Sequence, residues 1–207
     1  MWNLIKKDYI ALFTKKMEVI LFTLSLPVIM LLISFEEKWV YFIGVLCIYY
    51  LTLGLYSETD TDVLIYSMPI KKYKVVLSRY IIFFINYLII SSYIYLTSSI
   101  LLKLNFIDRI QYLNIDFFKL ILFFSMIAIS IALPFAFRLR YTTSIRFTTV
   151  VLIFLINFST NYLFHRSYDP TVDRVDLVNN TTFIARVIIT MIISILLSLY
   201  GYKKKEF

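Results

Sequence analysis

Glycine is nearly absent from this chain: Gly44, Gly54 and Gly201 are the only three in 207 residues. A phosphate-cradling loop needs several glycines close together so that backbone N–H groups can converge on the anion. The chain is therefore not expected to hydrolyse ATP by itself. Histidine is scarcer still, and His165 alone cannot supply the ligand pair of an intramembrane metalloprotease, so no metal site is expected. Cys47 is the sole cysteine, which rules out an intramolecular disulfide; its place in a long apolar run makes it a small core residue before it makes it a reactive thiol. Charge is thin as well. Only 16% of the residues are charged against 60% hydrophobic, with a mean hydropathy of +0.81. Globular chains are about half apolar and about a quarter charged. The composition is that of an integral membrane protein.

What is abundant is long apolar runs. Six are expected to cross a bilayer as helices: Met17 to Ser34, Trp39 to Tyr56, Tyr80 to Leu102, Phe117 to Phe137, Phe147 to Leu163 and Thr182 to Tyr202. Each approaches the ~20 residues a helix needs to traverse the hydrocarbon core. None alternates polar and apolar residues as the strands of an outer-membrane barrel do, and only helices satisfy their own backbone hydrogen bonds in lipid. The reading is an all-α integral membrane protein with a single transmembrane domain over residues 1–207.

The formal charge of +8 raises nucleic acid as a partner, and the placement of the 21 basic residues argues against it. Fourteen lie on one side: Lys6, Lys7, Lys15 and Lys16; Lys71, Lys72, Lys74 and Arg79; Arg138, Arg140 and Arg146; Lys203, Lys204 and Lys205. The other side carries Lys38, Lys103, Arg109, Arg166 and Arg174, with Lys119 and Arg186 just inside the outer ends of two spans. The positive-inside rule then puts both termini, and the segment between spans two and three, in the cytoplasm. Before span one, Trp2, Ile5, Tyr9, Leu12 and Phe13 recur at helical spacing among lysines. Residues 1–16 thus read as an amphipathic helix lying in the membrane interface, an anchor and not a cleavable signal.

Polar residues inside the spans are functional candidates by default, because their burial is costly. Asn86 and Ser91, Ser92, Ser98 and Ser99 make span three unusually hydroxylated, which fits helix packing or a polar track. Asn157 and Asn161 share a face of span five at i, i+4 spacing, which fits a cavity lining or an interhelical seam. Glu18 and Arg186 lie near span ends, within reach of an interface. Pro27 and Pro134 each remove a backbone donor from spans one and four.

Residues 57–79 form a polar insert with a short apolar core. Glu58, Asp60 and Asp62 precede Val63, Leu64 and Ile65, as acids favour a helix N-terminus. Pro69 stops or redirects that helix; Ser67 can cap a second, and Lys71, Lys72 and Lys74 precede the run into span three. The expectation is a cytoplasmic helical hairpin whose apolar Leu64, Ile65 and Met68 need a cover. That cover is either the protein's own helices and headgroups or a groove on a cytoplasmic partner.

At this point the chain resembles the ABC-2 type permeases of bacterial ABC exporters. The opening MWNLIKKDYIALFTKK is similar to that family's amphipathic start, a Leu-Ile-x-Lys-Asp pattern followed by basic residues. LIYSMPIKKYKVVLSRYI, Leu64 to Ile81, is similar to its apolar run, Leu-Pro, basic residues and Val-x-x-Lys/Arg-Tyr, with Met68 where Leu is usual and Arg79 where Lys is common. The resemblance implies a non-catalytic subunit in a bacterial plasma membrane. It would pair with a second permease, identical or paralogous, and with two copies of a separate ATPase that holds ATP and magnesium. It implies that Glu58, Asp60, Asp62, Leu64, Ile65, Met68, Pro69, Lys71 and Lys72 contact the ATPase. Tyr49, Tyr50, Asn157 and Asn161 would lie by the translocation path among membrane lipids. Aromatic-rich walls suit an amphipathic substrate, and peptides such as cytolytic modulins and peptide antibiotics fit best within the family. A non-transporting accessory or immunity protein is the competing class; it would need no ATPase and would be indifferent to changes in the insert.

Overall fold

The structure, a computed structural model, describes residues 2–15, 17–32, 37–54, 71–104, 115–138, 149, 150, 153 and 181–204. These residues form helices and no strands. The long helices are α1 (Trp2–Lys15), α2 (Met17–Leu32), α3 (Glu37–Gly54), α4 (Lys72–Lys103), α5 (Ile115–Arg138) and α6 (Thr181–Lys204). Three of them, α4, α5 and α6, are long and apolar enough to cross a membrane, and α2 and α3 carry shorter apolar cores, Ile20–Ile29 and Val40–Leu53. The fifth expected span, Phe147 to Leu163, falls almost wholly outside the described residues; Thr149, Val150 and Ile153 within it are helical.

α3 is the centre of the packing, against α2, α4 and α5. Its sequence explains why: from Val40 to Leu53 it is apolar around nearly its whole circumference, and such a helix is stable only when surrounded. Val45, Ile48, Tyr41 and Tyr49 are all but completely buried. A Cβ placed on Gly44 would lie 3.1 Å from Ile121 Cδ1 and 3.4 Å from Ile94 Cδ1, so at this glycine α3 packs closely against side chains of α5 and α4. Tyr41 meets Phe124 of α5 edge to face, with ring centroids 5.7 Å apart.

α5 and α6 form the most extensive helix pair. α6 turns Ser194, Ser198 and Gly201 inward and leaves Ile188, Ile189, Ile192, Ile193, Leu196 and Leu197 exposed. In water that distribution would be inside out. In lipid it is the expected one, because small residues let helices approach while bulky apolar ones face acyl chains. Phe137 of α5 closes the pair against Tyr202, 5.5 Å between centroids.

α4 has 32 residues, about 48 Å of helix against a hydrocarbon core of about 30 Å. Its first two turns, Lys72 to Arg79, therefore extend beyond the run expected to cross. The helix starts at a sharp boundary: Lys71 is extended, φ −61° and ψ 123°, and makes no side-chain cap. Residues 57–70 of the insert, with Ser67 and Pro69, lie outside the described residues.

Candidate coupling site

The two sequence patterns that carried the family resemblance meet in space. Asp8, from the opening pattern, lies on α1; Arg79, from the pattern after the insert, lies two turns into α4. Arg79 Nη1 is 2.8 Å from Asp8 Oδ2, with the two side chains only 4% and 5% exposed. Lys7 Nζ reaches the other carboxylate oxygen at 3.3 Å from a more open position. A buried arginine and a buried carboxylate each need the other, because either alone would be a charge out of water. This pair fixes the rotation of α1 against α4.

A line of hydrogen bonds continues inward from the pair. Tyr9 Oη donates to Asn86 Oδ1 at 2.6 Å, and Asn86 Nδ2 donates to Thr52 Oγ1 at 3.2 Å. Thr52 Oγ1 in turn donates to the carbonyl of Ile48 at 2.7 Å. α1, α4 and α3 are thereby joined through satisfied buried groups, a rigid arrangement when complete. Burial, then the neighbouring Asp8 carboxylate, pushes the Tyr9 phenol up to about 12, so it is protonated and donating at neutral pH. The next residue of α4, Tyr80, bonds both Ser194 at 2.6 Å and Ser198 at 2.9 Å, extending the contact to α6.

The stripe expected to face lipid on α1 is split. Trp2 and Phe13 are exposed, but Ile5 is buried and Tyr9 is half-buried and bonded inward; Ile10 joins the exposed face instead. The physical reason is Asp8: its need for Arg79 turns its own side of the helix, which carries Ile5, toward the bundle.

Of the residues expected at the ATPase contact, Lys71 and Lys72 are described and exposed at the start of α4. Glu58, Asp60, Asp62, Leu64, Ile65, Met68 and Pro69 lie outside the described residues, as do Asn157 and Asn161. Tyr49 is fully buried in its own chain, while Tyr50 is half-buried and meets it edge to face at 5.6 Å. Glu18 and Arg186 are both exposed. The hydroxyls of α4 are partly spent on their own helix: Ser98 bonds the carbonyls of Ile94 and Tyr95, and Ser99 bonds that of Tyr95. Asn86 is the member of that polar series that links helices. Among the described residues no cluster of histidine, cysteine and carboxylates could hold a metal.

Sequence reasoning placed Asp8 and Arg79 in separate patterns and missed their pairing. The available signal was that Asp8 is the sole acid before Glu18, set among lysines. Neither the curated proteins nor the solved structures compared with the chain include a match. A family model described as ABC-2 family transporter protein matches residues 3–203, taking in α1, the insert and every long helix. The chain belongs to the ABC-2 transporter family and is a permease of that type.

Proposed function

We propose that this protein is the membrane-spanning subunit of an ATP-driven exporter in a bacterial plasma membrane, with residues 57–79 as the element pressed by a separate ATPase. Permeases of this family generally work with separate ATPase subunits. The observation that carries the reading is the buried Asp8–Arg79 pair. It ties the start of the chain to the base of the helix that leaves the insert, so a push on the insert reaches α1 and α4 together and, through Tyr9, Asn86 and Thr52, the central α3.

In this reading six spans cross the membrane in one transmembrane domain, both termini are cytoplasmic, and α1 lies in the inner interface. Two permeases, identical or paralogous, pair and bind two ATPase chains that hold ATP and magnesium; this chain itself holds no cofactor and performs no catalysis. Leu64, Ile65 and Met68 anchor the ATPase contact, with Pro69 at the turn and Glu58, Asp60, Asp62, Lys71 and Lys72 around it. Closure of the ATPases switches the pair between inward-open and outward-open states. Tyr49, Tyr50, Asn157 and Asn161 border the path of an amphipathic substrate, best matched by a peptide such as a cytolytic modulin or a peptide antibiotic.

The test is purification of the tagged protein in mild detergent with identification of co-purifying chains and an ATP hydrolysis assay. A stoichiometric ABC ATPase is expected with the wild type, and Leu64→Asp or Met68→Asp should release it while the permease stays folded. Retention of full ATPase binding and transport by both variants would refute the assignment of the insert.

A further inference from the structure

A groove of about 340 Å³ lies between α2 and α3, apart from the ion pair and its hydrogen-bonded line. An apolar cavity of about 150 Å³ accepts a benzene ring, and ligand pockets begin near about 300 Å³. Phe22 and Leu26 of α2 and Leu46 and Tyr50 of α3 line it, together with the buried Thr23 and Cys47.

The polar atoms of those two buried residues are already engaged. Thr23 Oγ1 donates to the carbonyl of Ile20 at 2.9 Å, and Cys47 Sγ donates to the carbonyl of Thr23 at 3.5 Å. The second bond has a cause in the sequence. Pro27 has no N–H, so the carbonyl four residues earlier, that of Thr23, loses its helical donor, and the thiol of α3 takes that place. Tyr93 of α4 donates to the next carbonyl, Leu24, at 2.7 Å. The proline break in α2 is thus sealed by its neighbours, and the lining offers packing surface and no charge.

We propose that this groove holds one acyl chain of a membrane phospholipid. Tyr50 is the remaining hydroxyl of the lining, so an occupant with several amide or ionic groups would leave most of them without partners, whereas an alkyl chain needs none. The groove is also continuous with exposed surface made of large apolar side chains. Phe22 is 57% exposed, and Leu21 and Ile29 on the same helix are exposed with it. Thr23 and Leu26 lie in the middle of α2 and Leu46 in the middle of α3, away from the helix ends where headgroups would sit. The inference rests on the membrane placement of the chain and is independent of any ATPase; Tyr50 is the residue that the groove shares with the proposed substrate path.

The test uses the full chain in bilayer discs containing a phospholipid with a photoreactive diazirine midway along one acyl chain, and in parallel a phospholipid with the diazirine on its headgroup. Labelled residues are mapped by mass spectrometry. The acyl probe should mark the α2 and α3 lining about tenfold more per residue than the exposed face of α6 at Ile188, Ile192 and Leu196, a preference of about 1.4 kcal/mol. The headgroup probe should not mark it. Leu46→Trp, which fills the groove, should abolish that excess and leave α6 labelling unchanged. Leu46→Ala, which enlarges the groove, should label at least as strongly as wild type and keeps the test decisive if the tryptophan variant does not fold. Equal labelling of the groove and the α6 face would overturn the proposal, as would labelling insensitive to Leu46→Trp. So would efficient disulfide cross-linking between two copies carrying Phe22→Cys in a Cys47→Ser background, since a second copy would then fill the groove.

Discussion

Neutralising one member of the Asp8–Arg79 pair should damage the protein more than removing both charges together. At 2.8 Å and an effective dielectric of about 20, the Coulomb attraction is about 6 kcal/mol, which is offset by a desolvation cost of several kcal/mol per ion. The intact pair therefore contributes little net stability. Removing one member is different, because it takes a 2.8 Å charge-assisted contact from the other in a site closed to water. Asp8→Asn takes the carboxylate away from a guanidinium whose side chain is only 4% exposed and should cost about 3–5 kcal/mol. Arg79→Met leaves Asp8 with Lys7 still 3.3 Å away and able to stay paired, which should hold its cost toward the bottom of that range. The double variant Asp8→Leu/Arg79→Met buries no charge and should lie within about 1 kcal/mol of wild type. Thermal unfolding at fixed detergent concentration reads all four proteins, with a shift for Asp8→Asn on the order of 10 °C for a chain of this length. A double variant as unstable as Asp8→Asn would refute the reasoning.

Three further outcomes follow from particular contacts. Cys47→Val should destabilise by about 1–3 kcal/mol by orphaning the Thr23 carbonyl. Cys47→Ser should not, and in a Pro27→Ala background, where the helix supplies its own donor, the valine penalty should largely vanish in a double-mutant cycle. Gly44→Val should cost about 1–3 kcal/mol by forcing α3 away from Ile121 and Ile94, measured by the same unfolding assay; a neutral result would deny the close approach. The Tyr9 phenol has a folded value of about 12, raised above its ordinary 10.0, so its contribution is complete below pH 10 and is lost as pH rises through about 12. The stability difference between wild type and Tyr9→Phe should accordingly be flat from about pH 6 to about pH 9, and a decline within that window would contradict the assignment.

Hydropathy located α2, α3, α5 and α6 to within a few residues, because a run that must be dry is conspicuous in composition. It placed the third crossing from Tyr80, whereas α4 begins at Lys72. The difference is physical: hydropathy marks where lipid begins, while helical hydrogen bonding continues through Lys72, Tyr73 and Lys74 into polar surroundings. The face of each helix was harder to read. In a membrane protein the inner and outer sides are both apolar, so the period of α1 did not tell whether Ile5 and Tyr9 would turn to lipid or inward. Only a polar group that cannot be left alone breaks that symmetry, as Asp8 does for α1 and Ser194 and Ser198 do for α6. The pairing of Asp8 with Arg79 depends on the mutual rotation of two helices distant in sequence, which local spacing does not encode. Cys47 was legible as a buried residue, but its bond to Thr23 required the register of α3 against the proline break.

The extended backbone at Lys71 has a mechanical consequence. A continuous helix would carry torque from the preceding segment into α4 as a shaft does. A residue with ψ near that of a strand interrupts the shaft, so helical hydrogen bonding does not carry rotation about the axis across Lys71. The azimuth of α4 is then governed downstream of that boundary, by the guanidinium of Arg79 and the phenol of Tyr80. In the proposed coupling, the membrane half of the molecule would receive a displacement from the insert and supply its own heading.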